Sequence, residues 1–485
     1  MSDIDQLNFD TLHEECGVCG IYGADNVASL TALGLHSLQH RGQEAAGIIT
    51  YDSNNFYKHH DSGHVGDIFN NNKVIDKLPG HIAIGHVRYS TAGSKDSFAC
   101  QPIFAELATG GIALAHNGNL TNAITLKNSL VKTGSIFNST MDTEVILHLI
   151  AKSSLNSVAD KIIDALKKIE GAYSLVAIAD NALFAIRDPY GIRPLSLGKL
   201  NDAYIIASES CAFDIIGAKF IRDIEAGEMV IINDEGINSY KPFEQKPNKF
   251  CIFEYIYFAR PDSNINNKYV YEVRKNIGKI LAQESAVEAD IVVPVPDSGV
   301  PSALGYALET KLPFEFGIIR NHYVGRTFIE PTDNVRNFGV KLKHNANRAV
   351  LENKRIILVD DSIVRGTTSK KIVDMIRSCG AKEVHMRISS PPTTNSCFYG
   401  VDTPDRQKLI AANHNTAEIA KIIGVDSLAY ISLDGLYKAT GAEARNNNEP
   451  QYCDACFSGE YPIKLADKNN NFLPLLDNIK PSNFE

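Results

Sequence analysis

The chain has 485 residues, 44% of them apolar and 22% charged, and a formal charge of −9. That length supports two domains with full cores, and an acidic balance excludes a nucleic-acid binder, because no basic excess is left for a phosphate backbone. No apolar run reaches membrane-spanning length, and the acidic opening Met-Ser-Asp-Ile-Asp-Gln lacks the apolar core of an export signal; a cytoplasmic protein is expected, with its nine cysteines serving as thiols or metal ligands.

Near the start, Glu14-Glu15-Cys16-Gly17-Val18-Cys19-Gly20-Ile21 reads as a cysteine at the head of a buried strand. A thiol in mid-chain needs a neighbouring base, whereas a thiol on a first residue has its own α-amine nearby. That amine titrates not far above neutrality. The expectation is that Met1 to Glu15 are removed and Cys16 becomes the working N-terminus. On these residues alone a buried structural cysteine is the commoner reading. Strand alternation places Cys19 with Gly17 and Ile21 on the face opposite Cys16, as core.

An apolar stripe through Leu30, Leu33, Leu35 and Leu38 predicts a helix over Ala28 to Gln39, followed by His40-Arg41-Gly42 and a strand at Ile48 to Tyr51. Two later strands run out into polar groups, Ile82 through His86-Val87-Arg88-Tyr89-Ser90-Thr91 and Ile112 through His116-Asn117-Gly118-Asn119-Leu120. They suggest one site at a sheet edge. Helices are expected over Leu126–Val131, Thr143–Ala151 and Ala159–Ile169, with strands over Ala172–Ala179, Ala182–Arg187 and Tyr204–Ser208. Such grouped runs fit a layered α+β domain. Asn117-Gly118 is a hairpin corner or an oxyanion hole. Arg88 is a surface charge or a fork for a carboxylate, and Asp142 is most simply a helix N-cap.

Taken in order, Cys16-Gly-Val-x-Gly-Ile, His40-Arg41-Gly42, His86 to Thr91, His116 to Leu120 and Asp142-Thr143-Glu144 resemble the class II glutamine amidotransferases. The resemblance implies an N-terminal-nucleophile domain, an α/β/β/α sandwich over residues 16–240 behind a propeptide 1–15. It implies Cys16 as the thiol that attacks the glutamine amide, with its own amine as base. It further implies Asn117 and Gly118 as the oxyanion hole, Arg88 on the glutamine α-carboxylate and Asp142 on its α-amine. Cys19 departs from the pattern, where a bulkier apolar residue is expected.

The proline-bracketed stretch Pro242 to Lys249 reads as a linker. Beyond it come a helix over Tyr271–Glu284, a strand over Asp290–Pro296 and the loop Asp297-Ser298-Gly299. Arg355-Ile-Ile-Leu-Val-Asp360-Asp361 is a strand of a parallel sheet with two carboxylates at its carboxyl end, where such sheets bind ligands. Arg365-Gly366-Thr367-Thr368-Ser369 then opens a helix at Lys370 and offers N–H groups and hydroxyls to one phosphate. The acid pair suits ribose hydroxyls and Mg²⁺.

This stretch matches the motif of type I phosphoribosyltransferases that binds phosphoribosyl pyrophosphate (PRPP). The resemblance implies an α/β parallel-sheet domain over 251–460, followed by a tail 461–485. Asp360 and Asp361 would contact the ribose, Arg365 to Ser369 the 5-phosphate, and Asp297, Ser298 and Gly299 the pyrophosphate. One Mg²⁺ would sit on Ser298, Asp360 and Asp361. The basic segment Arg320 to His344, with Gly325, Arg326, Arg336, Gly339, Lys341 and Lys343, would close as a lid.

Cys453-Asp-Ala-Cys456 has metal-ligand spacing and alone could be a redox dithiol; if Cys251 and Cys397 converge on it, zinc is the usual reading, and spacing does not separate zinc from an iron–sulfur cluster. The sequences around these cysteines resemble the iron–sulfur subgroup of the amidophosphoribosyltransferase family. That resemblance implies a 4Fe-4S cluster on Cys251, Cys397, Cys453 and Cys456, and glutamine-dependent amination of PRPP in purine synthesis. It also implies a homotetramer inhibited by purine nucleotides such as AMP and GMP. Cys100, Cys211 and Cys379 carry no motif and are expected in the core.

Overall fold

Period-two apolar alternation builds the first half of the chain. In the strand Cys16–Tyr22, Val18 and Tyr22 face one way while Cys19 and Ile21 face the other. The first pair enters a core with Ile49, Ile82, Ile84, Ala113, Ala115 and Val176, contributed by two stacked sheets. The second pair packs beneath the helix Val27–Ser37. Each such side chain contributes about 1.5–3 kcal/mol on leaving water. Cys19 is therefore core, and burial pushes its thiol up to about 12.

A computed structural model describes residues 13–14, 16–88, 100–320 and 344–467. Most of the expected propeptide, the stretch Tyr89-Ser90-Thr91, the interior of the expected lid and the end of the tail lie outside the described residues.

The first sheet has seven antiparallel strands, with Cys16–Tyr22 between Ala203–Ala207 and Ile82–Arg88. The second has six, with Gly110–Leu120 beside Gly171–Ala179. The helices Ala123–Lys132, Asp142–Lys152 and Val158–Leu166 cover its outer face, where Leu114, Leu175 and Phe184 meet Val145, Ile146 and Ile162. Helix, sheet, sheet, helix is the expected sandwich.

The second half is a parallel sheet in the order Ile291–Pro294, Arg355–Asp360, Glu383–Ile388, Ser427–Tyr430. The helices Val270–Ser285 and Val300–Thr310 cover it, and Val292, Ile357 and Val359 share their core cluster. Thr367, Thr368 and Ser369 form the first turn of the helix Thr367–Ser378 instead of a loop before Lys370. At the base of the expected lid, Ile318–Arg320 pairs with His344–Ala346, Arg320 opposite His344. No helix among the described residues is long and apolar enough to cross a membrane.

Candidate functional site

Register places the nucleophile candidate. Cys16 lies directly opposite Arg88, and Arg88 opposite Ala45 on the strand Ala45–Tyr51. Cross-strand partners stand about 5 Å apart on one face. By alternation from Val18, Ile84 and Ala115, the residues Cys16, Arg88 and Asn117 all belong to the face between the sheets. Cys16 and Arg88 come from the first sheet and Asn117 from the second. The turn signal at Asn117-Gly118 did not make a hairpin corner: both residues sit inside the strand Gly110–Leu120. Gly118 has φ +145°, and a Cβ there would fall 2.0 Å from the Ala172 carbonyl oxygen, so only glycine fits.

Asp142 is the first helical residue, after Met141 at the N-cap position. Its carboxylate accepts from the Leu120 N–H at 3.0 Å and lies 3.4 Å from His116 Nδ1. Burial alone would raise this carboxyl, but His116 and the N–H groups of Leu120 and Thr143 outweigh it and hold it below the usual range. His86 Nε2 donates to the His116 carbonyl at 3.1 Å. Burial and the neighbouring Arg88 push His86 down to about 3, so it bridges the sheets as a neutral ring.

The second site lies at the carboxyl end of the parallel sheet. Asp361 accepts from Ser298 Oγ at 2.6 Å and from Ser362 Oγ at 2.5 Å, while Asp360 accepts from the Asp361 N–H at 2.9 Å. Burial pushes the Asp361 carboxyl up. Ser298, Asp360 and Asp361 thus form a hard-oxygen donor set of the kind Mg²⁺ takes. Asp297 is joined to Arg320, and Ser298 and Gly299 follow in the same loop before the helix at Val300. Gly366, in the left-handed conformation, caps Thr367–Ser378, so the N–H groups of Thr367, Thr368 and Ser369 lie in its open first turn. Arg365 precedes them.

The four cysteines come together. Cys251 and Cys453 are register partners in a parallel pair, and Cys251, Cys397, Cys453 and Cys456 line one cavity with Phe253, Tyr399 and Tyr461. None of the nine cysteines forms a disulfide. Asp454, between Cys453 and Cys456, accepts from Tyr437, Arg445 and Ser458, which fixes the turn. A thiol-lined apolar cavity fits a thiolate-held cluster.

Sequence reasoning missed the junction between the halves. Arg41 bonds Glu209 and, at 2.7 Å, Glu254; Arg193 bonds Glu254 at 3.2 Å, and all four side chains are fully buried. Arg193 also donates to the carbonyls of Tyr399 and Gly400 at 2.8 and 2.6 Å. Gly400 abuts Gly118, and Asn119 Nδ2 donates to the Phe398 carbonyl at 2.9 Å, so the segment after Cys397 rests on the Asn117-Gly118 strand. The backbone of His13–Glu14 pairs with Val401–Asp402 beside it. These partners are far apart in sequence, and only the His40-Arg41-Gly42 motif hinted at one of them.

Two family models match the chain. One, described as a glutamine amidotransferase domain, spans residues 86–214, and the other, a phosphoribosyl transferase domain, spans 263–389. The amidophosphoribosyltransferase of Rhizobium etli is 58% identical over 96% of this chain and 95% of its own length. That of Bacillus subtilis is 50% identical over 94% and 95%. A solved structure described as the allosteric regulatory enzyme of purine biosynthesis superposes with TM-score 0.90 at 48% identity, covering 95% of this chain and 98% of that one. The B. subtilis glutamine PRPP amidotransferase complexed with ADP and GMP gives TM-score 0.88 at 48% identity, covering 93% and 98%. Over nearly its whole length, then, the chain belongs to the amidophosphoribosyltransferase family.

Proposed function

We propose that the chain moves the amide nitrogen of glutamine to C1 of PRPP, giving 5-phosphoribosylamine, glutamate and pyrophosphate in the first step of purine synthesis. The observation that carries this reading is the register pairing of Cys16 with Arg88 beneath Asn117, in the same chain as the Asp360-Asp361 phosphate site.

Once residues 1–15 are removed, the Cys16 amine takes the thiol proton and the thiolate attacks the glutamine amide carbon. Asn117 and the Gly118 N–H hold the oxyanion, Arg88 the α-carboxylate and Asp142 the α-amine. Ammonia leaves, and water hydrolyses the thioester to glutamate. Ammonia then displaces pyrophosphate from C1 in the second site. Asp360 and Asp361 bind the ribose, Arg365 to Ser369 the 5-phosphate, and Asp297 to Gly299 the pyrophosphate. Ser298, Asp360 and Asp361 would hold one Mg²⁺, which neutralises pyrophosphate charge when bound. Ammonia crosses between the sites shielded from water, and residues 398–400 pack against the Asn117-Gly118 strand where the two halves meet.

Cys251, Cys397, Cys453 and Cys456 would hold a 4Fe-4S cluster that ties the start of the second domain to its end. Among the described residues no three His, Cys, Asp or Glu side chains are already drawn together to hold a metal ion, so this reading rests on the cavity that the four cysteines share. A cytoplasmic homotetramer, sensitive to purine nucleotides as the ADP and GMP of the B. subtilis complex suggest, completes the reading.

The test is glutamine-dependent pyrophosphate release by the purified enzyme and by Cys16→Ala. The variant loses it and keeps ammonia-dependent synthesis, while intact mass shows loss of residues 1–15. Equal release by both with glutamine as sole nitrogen source refutes the mechanism. Iron and acid-labile sulfide analysis separates cluster from zinc.

A further inference from the structure

The nucleophile and the oxyanion residue stand on different sheets, so catalysis depends on how the two sheets are locked together. Ser208, fully buried, makes one such lock. The strand Ala203–Ala207 pairs with Cys16–Tyr22 and ends just before it. There the Ser208 N–H donates to the Val18 carbonyl, and the Val18 N–H donates to Ser208 Oγ, both at 3.0 Å. Across the gap, Asn117 Nδ2 lies 3.5 Å from the same Oγ, while Asn117 Oδ1 is buried with no partner.

In this orientation Ser208 Oγ faces two N–H donors, and its own proton is not directed at Asn117. An amide turned by 180° fills the same envelope. The turned amide brings Oδ1 to the Ser208 hydroxyl, which donates to it while still accepting from Val18. The turn gives Oδ1 its donor and moves the unpartnered position to Nδ2, whose N–H groups then await an acceptor. Both hydrogens of Asn117 Nδ2 are then released from Ser208.

We propose that Ser208 is a positioning residue for glutamine hydrolysis: its hydroxyl holds Asn117 Oδ1 and so presents Nδ2 to the oxyanion formed at Cys16. This rests on the reading of Cys16, Asn117 and Gly118 given above. Ser208 itself touches no substrate; it acts through Asn117 while pinning the strand that carries Cys16.

The test compares Ser208→Ala, Ser208→Thr, Asn117→Ala and the double variant Ser208→Ala/Asn117→Ala in the processed, full enzyme. Removing an oxyanion donor outright costs about 10²–10³ in kcat, so losing only its orientation costs roughly tenfold or more. Ser208→Ala should lower glutamine-dependent kcat by that factor, with KM for glutamine within about twofold. Its affinity for the γ-aldehyde analogue of glutamine, which forms a tetrahedral adduct with the thiol, should fall in parallel. Ser208→Thr, which keeps the hydroxyl, should restore most of the rate. In the Asn117→Ala background, Ser208→Ala should cost less than about threefold. An equal cost in both backgrounds, an unchanged aldehyde affinity, or a parallel loss of ammonia-dependent synthesis overturns the proposal. A fully active Asn117→Ala removes the oxyanion reading and this proposal together, whereas an impaired Asn117→Ala beside an unimpaired Ser208→Ala removes only this proposal.

Discussion

Glu254→Gln is the sharpest perturbation of the junction between the two halves. Arg41, Arg193, Glu209 and Glu254 set two positive charges against two negative ones, each on a fully buried side chain, with the partly exposed His40 at 2.6 Å from Glu209. Glu254 accepts from Arg41 Nη2 at 2.7 Å and from Arg193 Nη1 at 3.2 Å. Gln keeps the volume but leaves two guanidinium groups facing one remaining carboxylate, and its amide N–H₂ meets donors. Removing one partner of a buried pair costs about 3–5 kcal/mol, a large share of a total of about 5–15 kcal/mol. On the scale of a domain of 150–250 residues this is a fall in Tm of roughly 6–20 °C. The assay is a thermal melt of wild type, Glu254→Gln, Arg41→Met and the double variant. Because the double variant restores neutrality, it should be less destabilised than the sum of the singles. Additive losses, or a Glu254→Gln melt within about 1 °C of wild type, would refute the charge argument. The pH dependence has a defined sign. Burial would raise the Glu209 carboxyl, but Arg41 and His40 outweigh it and hold it well below the usual range. A depressed folded-state pKa gives stability that is present above the unfolded value of about 4.3 and lost as pH falls through the folded one. The gap between wild type and Glu209→Gln should therefore narrow below about pH 4.

Two further outcomes follow from the second domain. Asp361→Asn should lower PRPP-dependent synthesis by about 10²-fold or more, yet melt no lower than wild type at neutral pH. Burial raises this carboxyl, so its ionisation opposes folding as pH rises through the folded value, and Asn removes that penalty; a large fall in the Tm of the ligand-free variant would contradict this. Asp454→Asn weakens the Arg445 and Ser458 bonds that fix the turn between Cys453 and Cys456. On the cluster reading proposed above, iron and sulfide per chain should drop while the far-ultraviolet dichroism is kept, and unchanged iron content would rule the positioning role out.

What was legible in the sequence was local. Alternation in Cys16–Tyr22, the polar run-outs after Ile82 and Ile112, and the apolar strand ending in Asp360-Asp361 are patterns that a few neighbouring residues impose through sterics and burial. They located Cys16, Arg88, Asn117 and Asp361, and the structure sets the first three on one inter-sheet face. Local cues failed where tertiary pairing overrode them. Asn117-Gly118 carries a turn signal, but the strand Gly171–Ala179 pairs through it, so the two residues stay paired inside the sheet. Thr367 to Ser369 read as a loop, but Gly366 supplies the left-handed cap that lets the helix begin there. Cys251 and Cys453, some 200 residues apart, become neighbours only when two short strands pair. The charge set at Arg41 and the hydroxyl of Ser208 leave no trace in spacing, because their partners lie on other strands and on the other half of the chain. Sequence alone determined the chemistry this protein carries and the strands that carry it; the tertiary structure decided which groups meet. Contacts between distant segments are chosen by sheet stacking and shared burial, which no local pattern encodes.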